Sequence, residues 1–413
     1  MKKFIQSLNE EALDKALSPD VRDAIVRAGG KIYQIGGVVR DEMLGKISKD
    51  LDLLVVGVEL NVLARSIGKF GKVNLVGKSF GILKFTPEGT DEEIDISIPR
   101  VDEKSTGKGH KDFEIKLGKG ITLKQDQLRR DFWMNAMSKD IETGEIHDIE
   151  GQGKLDIDNK IVRMINPQAF KDDPLRMLRA VQFAARFNFK IEPDTYNEIK
   201  KNAKLIKTVS AERFLEEFVK MFTKSTKPSY GLKLMKELGL LQILFPNVKK
   251  LPASAEVDKL PKVHFPVFMG VLLKDYGKKA GDVAMKVMRV SRKDSDSIEG
   301  VVRVITDRTI RPSKGNEVEL VKWAGTLPSH VIDSIDGYLQ SIKAKTLTDV
   351  FVNMKRRGKP TSLKDLPING KDVMDLGYRG AKIGKVLDWA MEYSIRNGGQ
   401  TRDELLKIIQ KGI

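Results

Sequence analysis

The sequence predicts an α/β head domain followed by neck, body and tail segments that are all helical. Three observations carry this expectation. In the first quarter of the chain, short apolar runs alternate with glycines and brief amphipathic stretches: Ile32-Tyr33-Gln34-Ile35, Gly36-Gly37, Val38–Leu44, then Asp50-Leu51-Asp52-Leu53-Leu54. From Lys171 the apolar residues recur instead at helical spacing, Arg186 to Phe222 reads largely as helix, and beyond about residue 250 helical segments are separated by Gly, Pro and Lys. At 413 residues the chain is also long enough for several cores, since long chains divide into domains rather than enlarge one core. The expected divisions are a head over 1–150, a neck over 151–250, and a body and tail over 251–413.

Taken in order, residues 8–29 read as helix in two pieces, broken at Ser18-Pro19-Asp20, where Ser18 can cap and Pro19 can take the first helical position. The strand Ile32–Ile35 then runs into Gly36 and Gly37, which let a phosphate approach backbone N–H groups at a helix start. Arg40 falls in the same first turns and can pair with a phosphate. A plain tight turn would also explain the glycines. In the next strand Asp50 and Asp52 point to one face, about 6.6 Å apart along the chain. Two carboxylates so placed repel each other and lose hydration. A divalent cation between them removes both penalties, and oxygen-only donors with open positions suit Mg²⁺ bound partly through substrate phosphates.

A helix over Leu60–Phe70 leads to strands at Lys72–Val76 and Phe80–Phe85 and to the alternating run 93–98. Asp95 there reads equally as a third site carboxylate and as a solvent-facing strand residue. The Gly/Lys-rich stretch Val101–Lys124 shows no sustained period and is expected to be a mobile loop. Next comes Leu128-Arg129-Arg130-Asp131-Phe132-Trp133-Met134-Asn135-Ala136-Met137. Arg130 can pair phosphate oxygens through two N–H groups, Asp131 can orient it or simply pair with it, and Asn135 can bond a sugar or phosphate. Further on, Asp172-Asp173-Pro174 opens a helix in which Arg176 and Arg179 follow Asp173 at a slowly turning helical spacing, and Leu178, Val181 and Ala185 form the apolar stripe. Both aspartates also read as helix caps. A carboxylate accepts from an exocyclic amino group and a guanidinium donates to ring nitrogen or carbonyl. That pair serves cytosine and adenine and disfavours uracil and guanine.

Composition narrows the class. A net charge of +16 points to an anionic partner, and nucleic acid fits better than a membrane surface because no basic helix carries aromatic anchors. The absence of cysteine excludes disulfides and thiolate metal sites and fits a reducing cytoplasm. The start, Met1-Lys2-Lys3-Phe4, is followed by polar residues rather than the apolar core of a secretory signal. His147-Asp148 has no second such pair, so a His-Asp phosphohydrolase module is not expected.

GGVVRD followed by KDLDLLV resembles the signature of the nucleotidyltransferase superfamily of DNA polymerase beta and poly(A) polymerases. More narrowly it resembles motif A of bacterial-type (class II) CCA-adding tRNA nucleotidyltransferases. The Arg130–Asn135 stretch resembles their motif B, with Trp133 and Met134 in place of the usual residues. Asp172-Asp173 with Arg176 resembles their EDxxR base reader, with Asp172 for Glu and Gln182 where many relatives have Arg. Val209–Phe222 is similar to the helix that buttresses that reader, and Pro367–Gly384 more weakly to a tRNA-holding tail. The resemblance implies a polymerase beta-like head and template-independent addition of C, C and A to the 3′ end of tRNA from CTP and ATP. It implies Asp50 and Asp52 as metal ligands with Asp95 as a third carboxylate. Gly36, Gly37, Arg40, Arg130, Asp131 and Asn135 would hold the nucleotide, and Asp173, Arg176 and Arg179 would read or support its base. It also implies that the Val101–Lys124 loop takes part in the change from C to A addition. No obligatory protein partner is evident. A poly(A) polymerase, an enzyme adding only CC or only A, and an RNA-binding protein with a decayed site are the competing readings.

Overall fold

The computed structural model describes residues 13–15, 17–47, 51–77, 81–103, 114–312 and 315–411. The chain forms two compact units, one from 1–217 with 234–243 and one from 218–233 with 244–413.

The first unit begins with helix α1 (Pro19–Arg27), whose cap is Ser18, accepting from Val21 N at 3.5 Å, with Pro at the first turn as expected. Strand β1 (Lys31–Ile35) passes through Gly36 into helix α2 (Gly37–Met43) and returns as β2 (Asp52–Val56). Helix α3 (Leu60–Ile67) precedes β3 (Gly71–Gly77), β4 (Ile82–Pro87) and β5 (Ile94–Ser97). After a hairpin, β6 (Arg100–Glu103) and β7 (Glu114–Leu117), come helix α4 (Leu123–Leu128) and strands β8 (Ser138–Asp140) and β9 (Ile146–His147). Among the described residues these build a seven-stranded sheet in the order β3-β4-β5-β2-β1-β8-β9. Only the β2–β5 pair in it is parallel. One face of the sheet packs Ile32, Leu53, Val55, Leu83, Phe85, Ile94 and Ile96 against Val21 and Ile25 of α1 and Leu60, Leu63 and Ile67 of α3. Because side chains alternate along a strand, the residues between them, including Asp52, Leu54 and Asp95, share the opposite face.

Two expectations need correction. The segment Val101–Lys124 is not loop throughout. Its ends pair as the β6–β7 hairpin, with Arg100 opposite Leu117 and Asp102 opposite Ile115, and Thr122 caps α4 through a capping box with Gln125. The strand β7 is hidden in a Gly/Lys-rich composition, and Leu117 packs onto the sheet core. Residues 104–113 lie outside the described part. The stretch from Arg186 to Phe222 is also less continuous than expected. Helix α5 (Gln152–Asp158), strand β10 (Ile161–Val162) and short helix α6 (Ala169–Asp172) precede helix α7 (Leu175–Phe187). Asn188 then turns left-handed (φ 56°) to end α7, and β11 (Lys190–Ile191) pairs in parallel with β10. Helices α8 (Pro193–Asn202) and α9 (Ala211–Lys224) follow.

The second unit is helical. Phe218, Phe222, Phe245, Phe265 and Phe268 form an aromatic cluster in which the Phe222 and Phe268 rings stack at 4.4 Å. Towards the C-terminus, Val373, Val386, Ala390, Ile395, Leu405 and Ile409 share another core. In the stretch resembling a tRNA-holding tail, Asn369 caps helix 370–375, and Gly377 and Gly380 take positive φ between helices. No helix among the described residues is long and apolar enough to cross a membrane.

The facing of β5 can be tested directly. Ile96 is fully buried while Asp95 is exposed, so Ile96→Ala should cost about 2–5 kcal/mol and Asp95→Ala no more than about 0.5 kcal/mol. Urea midpoints measure both, and equal losses would show that the strand is turned the other way.

Candidate active site

The site is assembled where β1 ends, β2 begins and β5 runs alongside. Asp52 opens β2 and is paired in register with Asp95 on the neighbouring parallel strand. Registered residues on adjacent strands have their Cβ atoms on one face, so the sheet brings these two carboxylates together although 43 positions separate them in sequence. Lys84 on β4, opposite Asp95, comes within 3.8 Å of its carboxylate and also bonds Glu93. The second strand starts at Asp52 rather than Asp50, and Asp50 lies outside the described residues.

Gly36 adopts φ 66° and ψ −117° between β1 and α2, a conformation that side chains with a Cβ rarely take. A Cβ there would stand 3.0 Å from Arg130 Nη1, and one on Gly37 would stand 3.5 Å from Arg40 Nη2. The glycine turn is therefore flanked closely by two guanidiniums. They differ in kind. Arg130 lies at the end of α4, where Asp126, four residues earlier, accepts from its Nη2 at 3.0 Å. Its Nη1 reaches Asn135 O at 3.4 Å, and its buried Nε has no hydrogen-bond partner. Burial opposes the charge on Asp126, but Arg130 and Arg129 outweigh it and hold the carboxyl below the usual carboxylate range. Arg40, by contrast, is 4 % exposed. Its Nη1 donates to Asn135 Oδ1 at 2.6 Å and its Nε to Asp41 at 2.9 Å, and its plane lies over Phe183 and Phe187. In this arrangement Arg40 is engaged by Asn135, Asp41 and the two rings.

Asp131 and Asn135 also differ from expectation. Asp131 does not orient Arg130. The acid that does is Asp126, which sits one helical turn before Arg130, whereas adjacent residues point apart. Asp131 is buried and accepts from Phe132 N at 2.8 Å, Asn135 Nδ2 at 3.0 Å and Arg179 Nε at 2.8 Å. Asn135, also buried, spends its amide between Asp131 and Arg40 instead of facing a sugar. Arg179 continues the chain to Glu217 on α9 at 3.5 Å. A polar relay thus runs Arg40–Asn135–Asp131–Arg179–Glu217, from the glycine turn to the helix pair α7 and α9.

At the start of α7, Asp173 accepts from Leu175 N at 3.2 Å, as a cap would. Both its oxygens also take the fork of Arg213 on α9, at 3.1 and 2.7 Å. Arg176 reaches back to Arg129 O at 2.8 Å, so one of its five N–H donors is anchored to the head. Asp172, by comparison, is turned to Gln168 at 3.0 Å on an exposed side. Gln182 is 1 % exposed, on the core side of α7. Arg213, Asp126 and Glu217 were not singled out as site residues from sequence. Asp126 was signalled by its position four residues before Arg130. The partnership of Arg213 with Asp173 is set by helix packing and has no local signal.

Burial pushes the Asp131 carboxyl up, but Arg179, the Asn135 bond and Arg176 overcome it and hold it below the usual range. A carboxyl depressed in the folded state adds stability above its unfolded value of about 3.9 and loses it as pH falls through the folded value. The stability gap between wild type and Asp131→Asn, read by urea denaturation, should therefore be wide at pH 7 and narrow below about pH 4. An unchanged gap would remove Asp131 as an ionised partner.

Comparison with known proteins agrees with this geometry. A family model described as "Poly A polymerase head domain" matches residues 32–163, and one described as "Probable RNA and SrmB-binding site of polymerase A" matches 188–251. The Multifunctional CCA protein of Nitrosomonas europaea is 37% identical over 237 residues, 55% of this chain and 54% of that protein. That of Tolumonas auensis is 32% identical over 262 residues, 62% and 60% of the two chains. The chain thus spans little more than half the length of the curated relatives it matches. The CCA-adding enzyme of Bacillus stearothermophilus, solved with CTP, superposes with a TM-score of 0.74 at 21% identity, covering 95% of this chain and 96% of that one. The Thermotoga maritima CCA-adding enzyme, complexed with tRNA_CCA, gives 0.67 at 21% identity, covering 97% of each. At such identities the structures show the fold alone. Residues 32–163 and 188–251 are thus similar to the head and RNA-binding segments of poly(A) polymerases, on a chain that has the fold of CCA-adding enzymes.

Proposed function

We propose that this chain adds C, C and A, from CTP and ATP, to the 3′ end of tRNA without a nucleic-acid template. The observation that carries the reading is the tie between two parts. A carboxylate pair, Asp52 with Asp95, sits beside the Gly36–Arg130 turn, and the Asp173–Arg176 element is held to the head by Arg176 and by the Asp131–Arg179 bond. Relatives named for CCA addition, and the like fold of CCA-adding enzymes solved with CTP, ATP and tRNA, support it. A chain without cysteine fits work in a reducing cytoplasm.

In this reading Gly36 and Gly37 admit the triphosphate to the backbone and Arg130 pairs with it, through a guanidinium already aimed at the turn. Arg40 and Asn135 hold the turn from behind. Asp173 accepts from the amino group that cytosine and adenine share, and Arg176 donates to the neighbouring ring position. Arg213 fixes the plane of the Asp173 carboxylate, which matters because directional acceptance depends on that plane. Asp52 and Asp95, with Asp50, offer only hard oxygen donors, a set that fits Mg²⁺. Such a cation, when bound, would stabilise charge on the attacking 3′-oxygen and the leaving pyrophosphate. The head over 1–150 would perform transfer, the neck over 151–250 base selection, and the basic remainder would grip tRNA through phosphates.

Incubating the chain with tRNA lacking its 3′ end and with CTP, ATP or both, with product length read on a gel, tests the reading. Full CCA is the expected product. A long A tract would assign a poly(A) polymerase, and CC or A alone a partial enzyme. Binding without any addition would indicate a decayed site.

Two substitutions sharpen this. Asp52→Ala should abolish C and A addition together while tRNA binding persists, and turnover that survives would remove the carboxylate pair from the chemistry. Arg213→Ala should loosen base choice along with Asp173→Ala, raising the relative use of UTP or GTP roughly tenfold or more, because the site loses its oriented acceptor. Unchanged selectivity with only a lower melting temperature would make Asp173 and Arg213 a structural clasp.

A further inference from the structure

The first unit carries a second concentration of positive charge that the nucleotide reading does not use. Phe187, at the end of α7, has cations against its ring from three residues: Lys46 Nζ at 4.7 Å, Arg186 at 4.8 Å and Arg40 at 4.9 Å. Asp41 is the carboxylate paired with two of them, Arg40 at 2.8 Å and Arg186 at 3.3 Å. Lys46 has neither a hydrogen bond nor an ion pair from its ammonium among the described residues. Burial and the nearby Arg186 push its amine below the ordinary lysine value. Three cations gathered round one ring and one carboxylate leave an excess of positive charge at the surface. Folding such an arrangement costs free energy unless an anion completes it. The ring fixes the cations through its π face, which uses none of their N–H donors.

The location says which anion. Arg40 is buried and committed, so the groups offered to solvent are the exposed Lys46 and the partly exposed Arg186. Lys46 leaves α2 with its backbone N–H bonded to Asp41 O at 2.8 Å. From position 46 to Asp52 the chain can span at most about 20 Å, at 3.3–3.6 Å per residue. The cluster therefore lies within a few nucleotides of the carboxylates, while Arg130 and the glycine turn already serve the triphosphate. We propose that Lys46 and Arg186 bind a backbone phosphate of the RNA acceptor strand just upstream of its reacting 3′ end. This rests on the functional reading above and adds to it a contact for the strand being extended.

The full chain can be tested by fluorescence anisotropy with tRNA lacking its CCA end, across a salt series, alongside KM values for CTP and ATP. Lys46→Ala should weaken RNA binding roughly three- to tenfold and make the salt slope shallower by about 0.7, the value for one phosphate contact on a single strand. KM for both nucleotides should stay the same, and Lys46→Arg should restore binding. Unchanged RNA affinity and slope at an unchanged melting temperature would overturn the proposal. So would a raised nucleotide KM with unchanged RNA affinity, which would assign the cluster to the triphosphate. Binding is read independently of turnover. A wild type that binds tRNA but adds nothing would count against the functional reading alone, and the Lys46 comparison would still decide this site.

Discussion

The buried carboxylate of Asp131 is the constraint on which the site depends. An isolated charge at that depth would be strongly disfavoured, so it must be shared, and its three partners come from different places. Phe132 N is local, Asn135 closes the turn after α4, and Arg179 belongs to α7. Satisfying one ion thus fixes α7 against the sheet that carries Asp52 and Asp95. Breaking such a pair from one side leaves the other charge buried, which is why the loss of either partner is costly.

The fold was legible wherever side-chain period and punctuation agreed. Ser18-Pro19 marked a helix start, β1 and β2 followed from apolar runs on either side of two glycines, and Leu178, Val181 and Ala185 of α7 are buried as their spacing requires. It was not legible where a Gly/Lys-rich composition hid a strand, as in β7. It failed again where a two-residue strand, β11, interrupted helical spacing on the strength of its pairing with β10. That pairing joins positions about thirty apart, and no local window contains it.

The site divides in the same way. Residue types near one another in sequence announced themselves, which is why the Gly36-Gly37 turn, the aspartates and Arg176 could be named. Their partners could not be assigned as readily. Arg130 was expected to work with the adjacent Asp131, yet the helix turns Asp126 towards it. Arg40 looked like a phosphate ligand, but Phe183, Phe187, Asp41 and Asn135 enclose it. Sequence identifies a charged group. Burial, a property of the assembled fold, decides whether that group meets a ligand or supports another residue.

The conformation of Gly36 has an evolutionary consequence. At φ 66° and ψ −117°, with Arg130 3.0 Å from where a Cβ would be, the position is strained for every other amino acid. Any missense change of a glycine codon supplies a side chain, so the nearest mutational neighbours of this site all carry strain before chemistry is considered. Change in this region would then have to proceed through neighbouring positions such as those of α7, and not through the glycine of the turn.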